Sequence, residues 1–186
     1  KPFDFLSFHA ETIAMAIPAG REQIAAIDCS FVNKSGKKTS GIDFFYNGSR
    51  GKSEKGLEIS VISVVDMDTQ QAYTLSVKQT PAIDRTLIQA KGKLSVLSEP
   101  LVSERVKAYI SQIVAARSHL PAIVKYLAAD SFYSKKSIID EVIDQKLHLV
   151  SKLRIDAGVQ KSRGAHRKYD GKVELKDLSR LDYVGE

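Results

Sequence analysis

One cysteine, no tryptophan and five prolines in 186 residues leave several kinds of protein out from the start. The lone thiol, Cys29, excludes an internal disulfide and a cysteine-based zinc cluster, and it weighs against redox chemistry. Set in an apolar run, it reads as packing rather than as a nucleophile. The four histidines, His9, His119, His148 and His166, lack any paired metal-ligand spacing and read as surface or hydrogen-bonded residues. No apolar run approaches the roughly 18 residues that cross a bilayer, and the N-terminus lacks a signal peptide's basic, apolar and small-residue order. The expectation is a cytoplasmic protein with no membrane partner. Against these absences stand 43% hydrophobic and 27% charged residues, an ordinary globular mixture with enough apolar material for one core. A net charge of +6 favours a polyanionic partner. The chain starts without methionine and stops at Glu186 without a closing signal, so it reads as a piece of a longer protein.

Residues 1–22, with Pro2 and Pro18, carry little pattern and read as a lead-in segment. Ile24 to Val32 is a nearly continuous apolar run, which predicts a strand buried on both faces. Asn33 to Gly56, rich in Lys, Gly and Ser, predicts a long basic loop with room for a short strand at Phe44, Phe45 and Tyr46. Leu57–Val65 and Ala72–Val77 form a hairpin whose turn holds Asp66 and Asp68, where aspartate serves the backbone. Val102, Val106, Tyr109, Ile110, Ile113 and Val114 predict an amphipathic helix over Leu101–Arg117. Ile123–Ala129 reads as the fourth strand, and Ser134 as the cap of a second helix with Ile138, Ile139, Val142 and Ile143 inward. Leu147–Leu153 reads as the fifth strand. The expectation is an α/β fold, a mixed five-stranded sheet flanked by helices, over residues 23–156. Residues 157–186 would form a basic hairpin or the start of an insertion. This element order is that of the ribonuclease-H-like fold, and other α/β or α+β folds share it.

Two carboxylates stand out. Asp28 interrupts an apolar strand, where an ionised group is costly unless paired or bound to a cation. Asp130 ends the fourth strand and precedes a helix, at the rim where α/β sheets place ligands. If the first and fourth strands run side by side and parallel, the two carboxylates meet, and a divalent cation between them relieves their repulsion. Mg²⁺ or Mn²⁺ suits such an oxygen site.

Three blocks carry a family resemblance: Ile27-Asp28-Cys29-Ser30-Phe31, Lys55-Gly56-Leu57-Glu58, and Ala128-Ala129-Asp130-Ser131-Phe132-Tyr133-Ser134-Lys135-Lys136. With Leu149–Arg154 and Arg167–Lys172, they make residues 24–186 resemble the Asp-Asp-Glu (DDE) transposases of bacterial insertion sequences. The resemblance implies a ribonuclease-H-like catalytic domain with Asp28 and Asp130 as catalytic acids and metal ligands. It implies two Mg²⁺ or Mn²⁺ ions, about 4 Å apart, driving hydrolysis and strand transfer at DNA phosphodiesters. It also implies a homodimer assembled on transposon and target DNA, a nucleoid-associated place in a bacterial cytoplasm, and a β-rich insertion beginning near the C-terminus. The family's third acid is a glutamate on a later helix. No matching helix precedes Glu186, and Glu174 lies in a strand-like context.

The cations fit the same partner. Lys34, Lys37, Lys38, Arg50, Lys52 and Lys55 face only Asp43 and Glu54 across the basic loop, with aromatics among them, a pattern that can follow a phosphate backbone and stack on a base. Arg163, Arg167 and Lys168 belong to a second basic cluster near Asp170-Gly171. Gly51-Lys52-Ser53 ends like a phosphate-binding P-loop, but the pattern's first glycine would fall at Tyr46 and a strand follows, so no nucleotide cofactor is expected. Two further readings stay open beside the transposase: a transposase-derived DNA-binding domain without a complete acid set, and another ribonuclease-H-like nuclease.

Overall fold

Alternating burial along the first strand decides which face of the sheet becomes the core. The computed structural model describes residues 2–36, 38–83 and 98–153, with side chains omitted at 98–103. The chain divides into two units, and every element named below belongs to the first, Lys1–Ser151. Strand β1, Gln23–Asn33, buries Ala25 and Ile27 while Asp28, Ser30 and Val32 are exposed. The expected strand buried on both faces is therefore a strand buried on one. The apolar residues of even number, Ile24 and Ala26, are only half-buried.

β1 pairs antiparallel with the 15-residue strand β3, Lys52–Asp66, bringing Ile27 opposite Ile62 and Ala25 opposite Val64 on the core face. Strand β2, Asp43–Asn47, pairs with the first part of β3, and strand β4, Gln71–Gln79, with its later part. The chain then forms helix α2, Ser98–Arg117, strand β5, Tyr126–Ala129, helix α3, Lys136–Asp144, and strand β6, His148–Ser151. β5 runs parallel to β1, and β6 parallel to β5. The result is a mixed α/β fold with a six-stranded sheet in the order β2-β3-β1-β5-β6, β4 lying against β3. The sixth strand, against the five expected, is β2, formed by the aromatic centre of the basic segment.

Two further expectations change. The lead-in segment contains a helix, α1, Phe5–Ala16, capped by the Asp4 carboxylate on the Ser7 N–H. Its stripe of Leu6, Ala10, Ile13 and Ile17 joins the core beside β4. Ser134 does not cap α3: a 3₁₀ turn, Ser131–Tyr133, follows β5, and α3 begins after Lys135 without a side-chain cap. Of the predicted stripe, Ile138 and Val142 are buried and Ile143 is exposed. On α2, Val106, Tyr109, Ile113 and Ala116 face the core, and Val114 points away. Among the described residues no helix is long and apolar enough to cross a membrane.

Gly56 sits where β3 is flanked on both edges, opposite Asn33 on one side and Asp43 on the other. A Cβ there would lie 2.5 Å from the Val32 carbonyl oxygen and 2.6 Å from the Phe31 ring. Gly56→Ala is expected to cost about 1–3 kcal/mol through this overpacking, read as a lower urea midpoint at unchanged slope.

The β3–β4 turn is held by a buried carboxylate. Asp66 accepts from Arg21 Nη1 at 2.7 Å and from the Asp68 N–H at 3.0 Å. Burial pushes the Asp66 carboxyl up, but hydrogen bonds from Arg21, Thr69 and the Asp68 backbone outweigh it and hold the pKa below the usual carboxylate range. A carboxyl lowered in the folded state stabilises above its unfolded pKa, and that contribution disappears as pH falls through the lower folded value. Asp66→Asn is thus expected to be less stable than the parent at neutral pH and to flatten the acid limb of stability below about pH 4, measured by thermal melts across pH.

Candidate functional site

The register of the parallel pair brings the two sequence-predicted acids together. Ala26 lies opposite Ala128 and Ile27 opposite Ala129, so the next step along both strands is Asp28 beside Asp130. Adjacent strands stand about 4.8 Å apart. Asp130 keeps extended backbone, φ −74° and ψ 174°, as it leaves β5. Both acids therefore follow the alternation onto the face of Ala26 and Ala128, opposite the core, and both are exposed. The burial cost that marked Asp28 in the sequence does not arise. What singles out the pair is its register, two carboxylates side by side where β5 ends against the middle of β1.

Each carboxylate is steadied by one backbone bond: Cys29 N–H donates to Asp28 Oδ1 at 2.8 Å, and Phe132 N–H to Asp130 Oδ1 at 2.9 Å. Neither acid has a hydrogen bond to Oδ2 or an ion pair among the described residues. A short relay fixes the backbone beneath Asp130. Ser134 Oγ donates to Ser151 Oγ at 2.8 Å, and Ser151 Oγ donates to the Asp130 carbonyl at 2.7 Å, tying the strand end to β6. Uncompensated hard-oxygen donors in this arrangement fit a divalent cation. Among the described residues no group of three or more His, Cys, Asp or Glu side chains converges, so the described acid set stops at two. Glu174 lies outside the described residues.

On the core side of the sheet, beneath the acid pair, is a network that sequence reading missed. Cys29 Sγ lies 3.0 Å from the Tyr133 hydroxyl, and the Tyr109 hydroxyl donates to Glu58. The rings of Tyr109, Phe132 and Tyr133 pack at 5.5–5.9 Å. Burial pushes the Cys29 thiol up and the two tyrosine hydroxyls far up, so all three stay protonated at neutral pH. Cys29 is a packing residue with a poor nucleophile, and the network locks the floor under Asp28 and Asp130. The helical spacing of Tyr109 was visible in the sequence; its polar partner on β3, Glu58, had no local signal.

The predicted cations divide into four groups. Lys34 and Lys38 are exposed in the segment after β1, and Lys37 lies outside the described residues. Arg50 and Lys52 flank the β2–β3 turn and share Glu54, at 3.1 and 3.4 Å, with Asn47 donating to the same carboxylate. Lys55 is exposed opposite Phe44. Arg163, Arg167 and Lys168 lie outside the described residues. Gly51 takes φ +63° in a hairpin turn and the chain continues into β3, not into a helix. The cations after β1 and at the start of β3 lie past the C-terminal end of β1, five residues beyond Asp28.

No protein-family model matches this chain, and a search of curated proteins finds no significant match.

Proposed function

We propose that this is the ribonuclease-H-like catalytic domain of a DNA transposase of the Asp-Asp-Glu class, cutting and joining DNA at insertion-sequence ends. The observation that carries the reading is the register of Asp28 and Asp130, adjacent on one open sheet face where the parallel pairing of β1 with β5 ends. The strand pattern supports it: an antiparallel β1, β3 and β4, then β5 and β6 added in parallel on the other side of β1.

In this reading Asp28 and Asp130 hold Mg²⁺ or Mn²⁺ through carboxylate oxygens while their backbone bonds keep both side chains in place. A bound divalent cation supplies Lewis-acid polarisation of a phosphate and a more acidic nucleophile. The chain's own cations do the rest: Lys34, Lys38, Arg50, Lys52 and Lys55 take up the DNA backbone and set its position over the acids. A second ion, a third acid and a dimer on paired DNA ends belong to the same proposal. The test is nicking of supercoiled plasmid by the full-length polypeptide with Mg²⁺ or Mn²⁺, abolished by chelation.

One observation favours a second reading. Because only two acids converge among the described residues, a DNA-holding domain without a complete acid set is the competing assignment. It predicts salt-sensitive DNA binding and no nicking at any metal concentration.

A further inference from the structure

The open face that carries the acid pair does not end there. Registers in the β1–β3 and β2–β3 ladders run without a shift, so residues can be followed across the sheet on one face. From Asp28 opposite Val61, the face continues through Ser30 and Ile59, then Val32 and Leu57, then Lys55 and Phe44, and ends at Tyr46 opposite Ser53. Ser30, Val32, Lys55 and Ser53 are exposed, and Ile59 and Leu57 are half-buried. Phe44 is 50% and Tyr46 62% exposed. From Val61 to Ser53 along β3 the strip extends about 26 Å at strand rise. One end is anionic, the middle apolar, and the far end combines an exposed lysine with aromatic rings.

We propose that this strip binds single-stranded DNA, with Tyr46 stacking on an unpaired base and Lys55 contacting the adjoining phosphate, while the strand leads toward Asp28 and Asp130. Tyr46 has no ring contact or hydrogen bond among the described residues, which leaves its face free for a stacking partner. A stacking platform beside cations matches an unpaired strand, whose bases offer free π-faces; in a duplex those faces are covered. The net charge of +6 and exposed Lys34 and Lys38 argue for a nucleic acid rather than an apolar protein partner. The choice of DNA rests on the transposase reading, so the test avoids cleavage altogether.

Binding of a fluorescent oligothymidine of about twelve nucleotides is measured by anisotropy on the full chain in chelator, where no metal chemistry runs. Tyr46→Ala is expected to weaken binding about tenfold, the loss of one stacked base, and Tyr46→Phe to stay within about twofold. Lys55→Ala is expected to lower the slope of log affinity against log salt by about 0.7. Because the chain has no tryptophan, Tyr46→Trp gives a direct probe whose emission is expected to be quenched by the oligonucleotide. Unchanged affinity in Tyr46→Ala, unquenched emission at saturation, or equal dependence on Tyr46 for duplex DNA overturns the proposal. Normal oligonucleotide binding by the Tyr46 variants, together with nicking that Asp28→Asn abolishes, removes the strip and leaves the nuclease. The converse pair of results removes the nuclease and leaves the strip.

Discussion

Asp28→Asn and Asp130→Asn are each expected to lower metal-dependent DNA nicking by about three orders of magnitude, the scale of several kcal/mol of lost charge stabilisation at a reacting phosphate. Asparagine keeps the volume of the side chain and an oxygen that can accept the Cys29 or Phe132 N–H, so only the charge is removed. Both side chains are exposed, and stability should change by no more than about 0.5 kcal/mol. The combination matters. A folded variant with no nicking locates the defect in the acid pair, whereas normal nicking by either variant ends the nuclease assignment. Plasmid nicking assays and thermal melts on the same preparations separate the two.

The second large effect is structural and lies at the root of the β2–β3 hairpin. Asp43, 7% exposed, accepts from Arg105 Nη2 at 3.3 Å and from the Ile83 N–H at 3.0 Å. Arg105 also donates to the Phe44 carbonyl at 3.0 Å and stacks over the Phe45 ring at 4.2 Å. The arrangement clamps the hairpin to α2 through one guanidinium. Removing the carboxylate leaves that cation poorly compensated, and Asp43→Ala is expected to cost about 3 kcal/mol. Replacing both partners by apolar residues of similar volume, Asp43→Leu with Arg105→Met, should recover most of the loss, because the pair's attraction largely offsets its own desolvation. Urea unfolding of the single and double variants reads the difference. A single variant within about 0.5 kcal/mol of the parent would show that the clamp contributes nothing.

Much of the sheet was legible because strand and helix periods are local. The hairpin of β3 and β4, the inward side of α2 and the short runs of β5 and β6 all announced themselves by spacing. Three features did not. α1 was hidden by Pro2 and Pro18 at its ends, although Leu6, Ala10, Ile13 and Ile17 after a capping Asp4 hold the helical interval. β2 was only half legible, with room for a short strand at Phe44, Phe45 and Tyr46 inside a basic, glycine-rich stretch that otherwise read as loop, and its pairing with β3 decided the matter. Ser134 looked like a helix cap because nothing in the sequence marks the intervening 3₁₀ turn, which leaves its hydroxyl for Ser151. The acid pair was found for a partly mistaken reason. A buried strand made Asp28 look costly, yet its side chain points outward, and the pairing came from register across distant segments rather than from burial.

The parallel pairing of β1 with β5 also governs when such a centre can exist. Its two halves are translated far apart, and a parallel neighbour cannot be reached by a tight turn, so α2 must cross the sheet before the second carboxylate arrives. Contacts of such long sequence separation form slowly, after the local hairpin and helix. A nascent chain released before Tyr126 would therefore carry the basic hairpin and one acid but no paired centre. Under the proposed reading, any affinity for nucleic acid would emerge during synthesis ahead of a capacity to cut it.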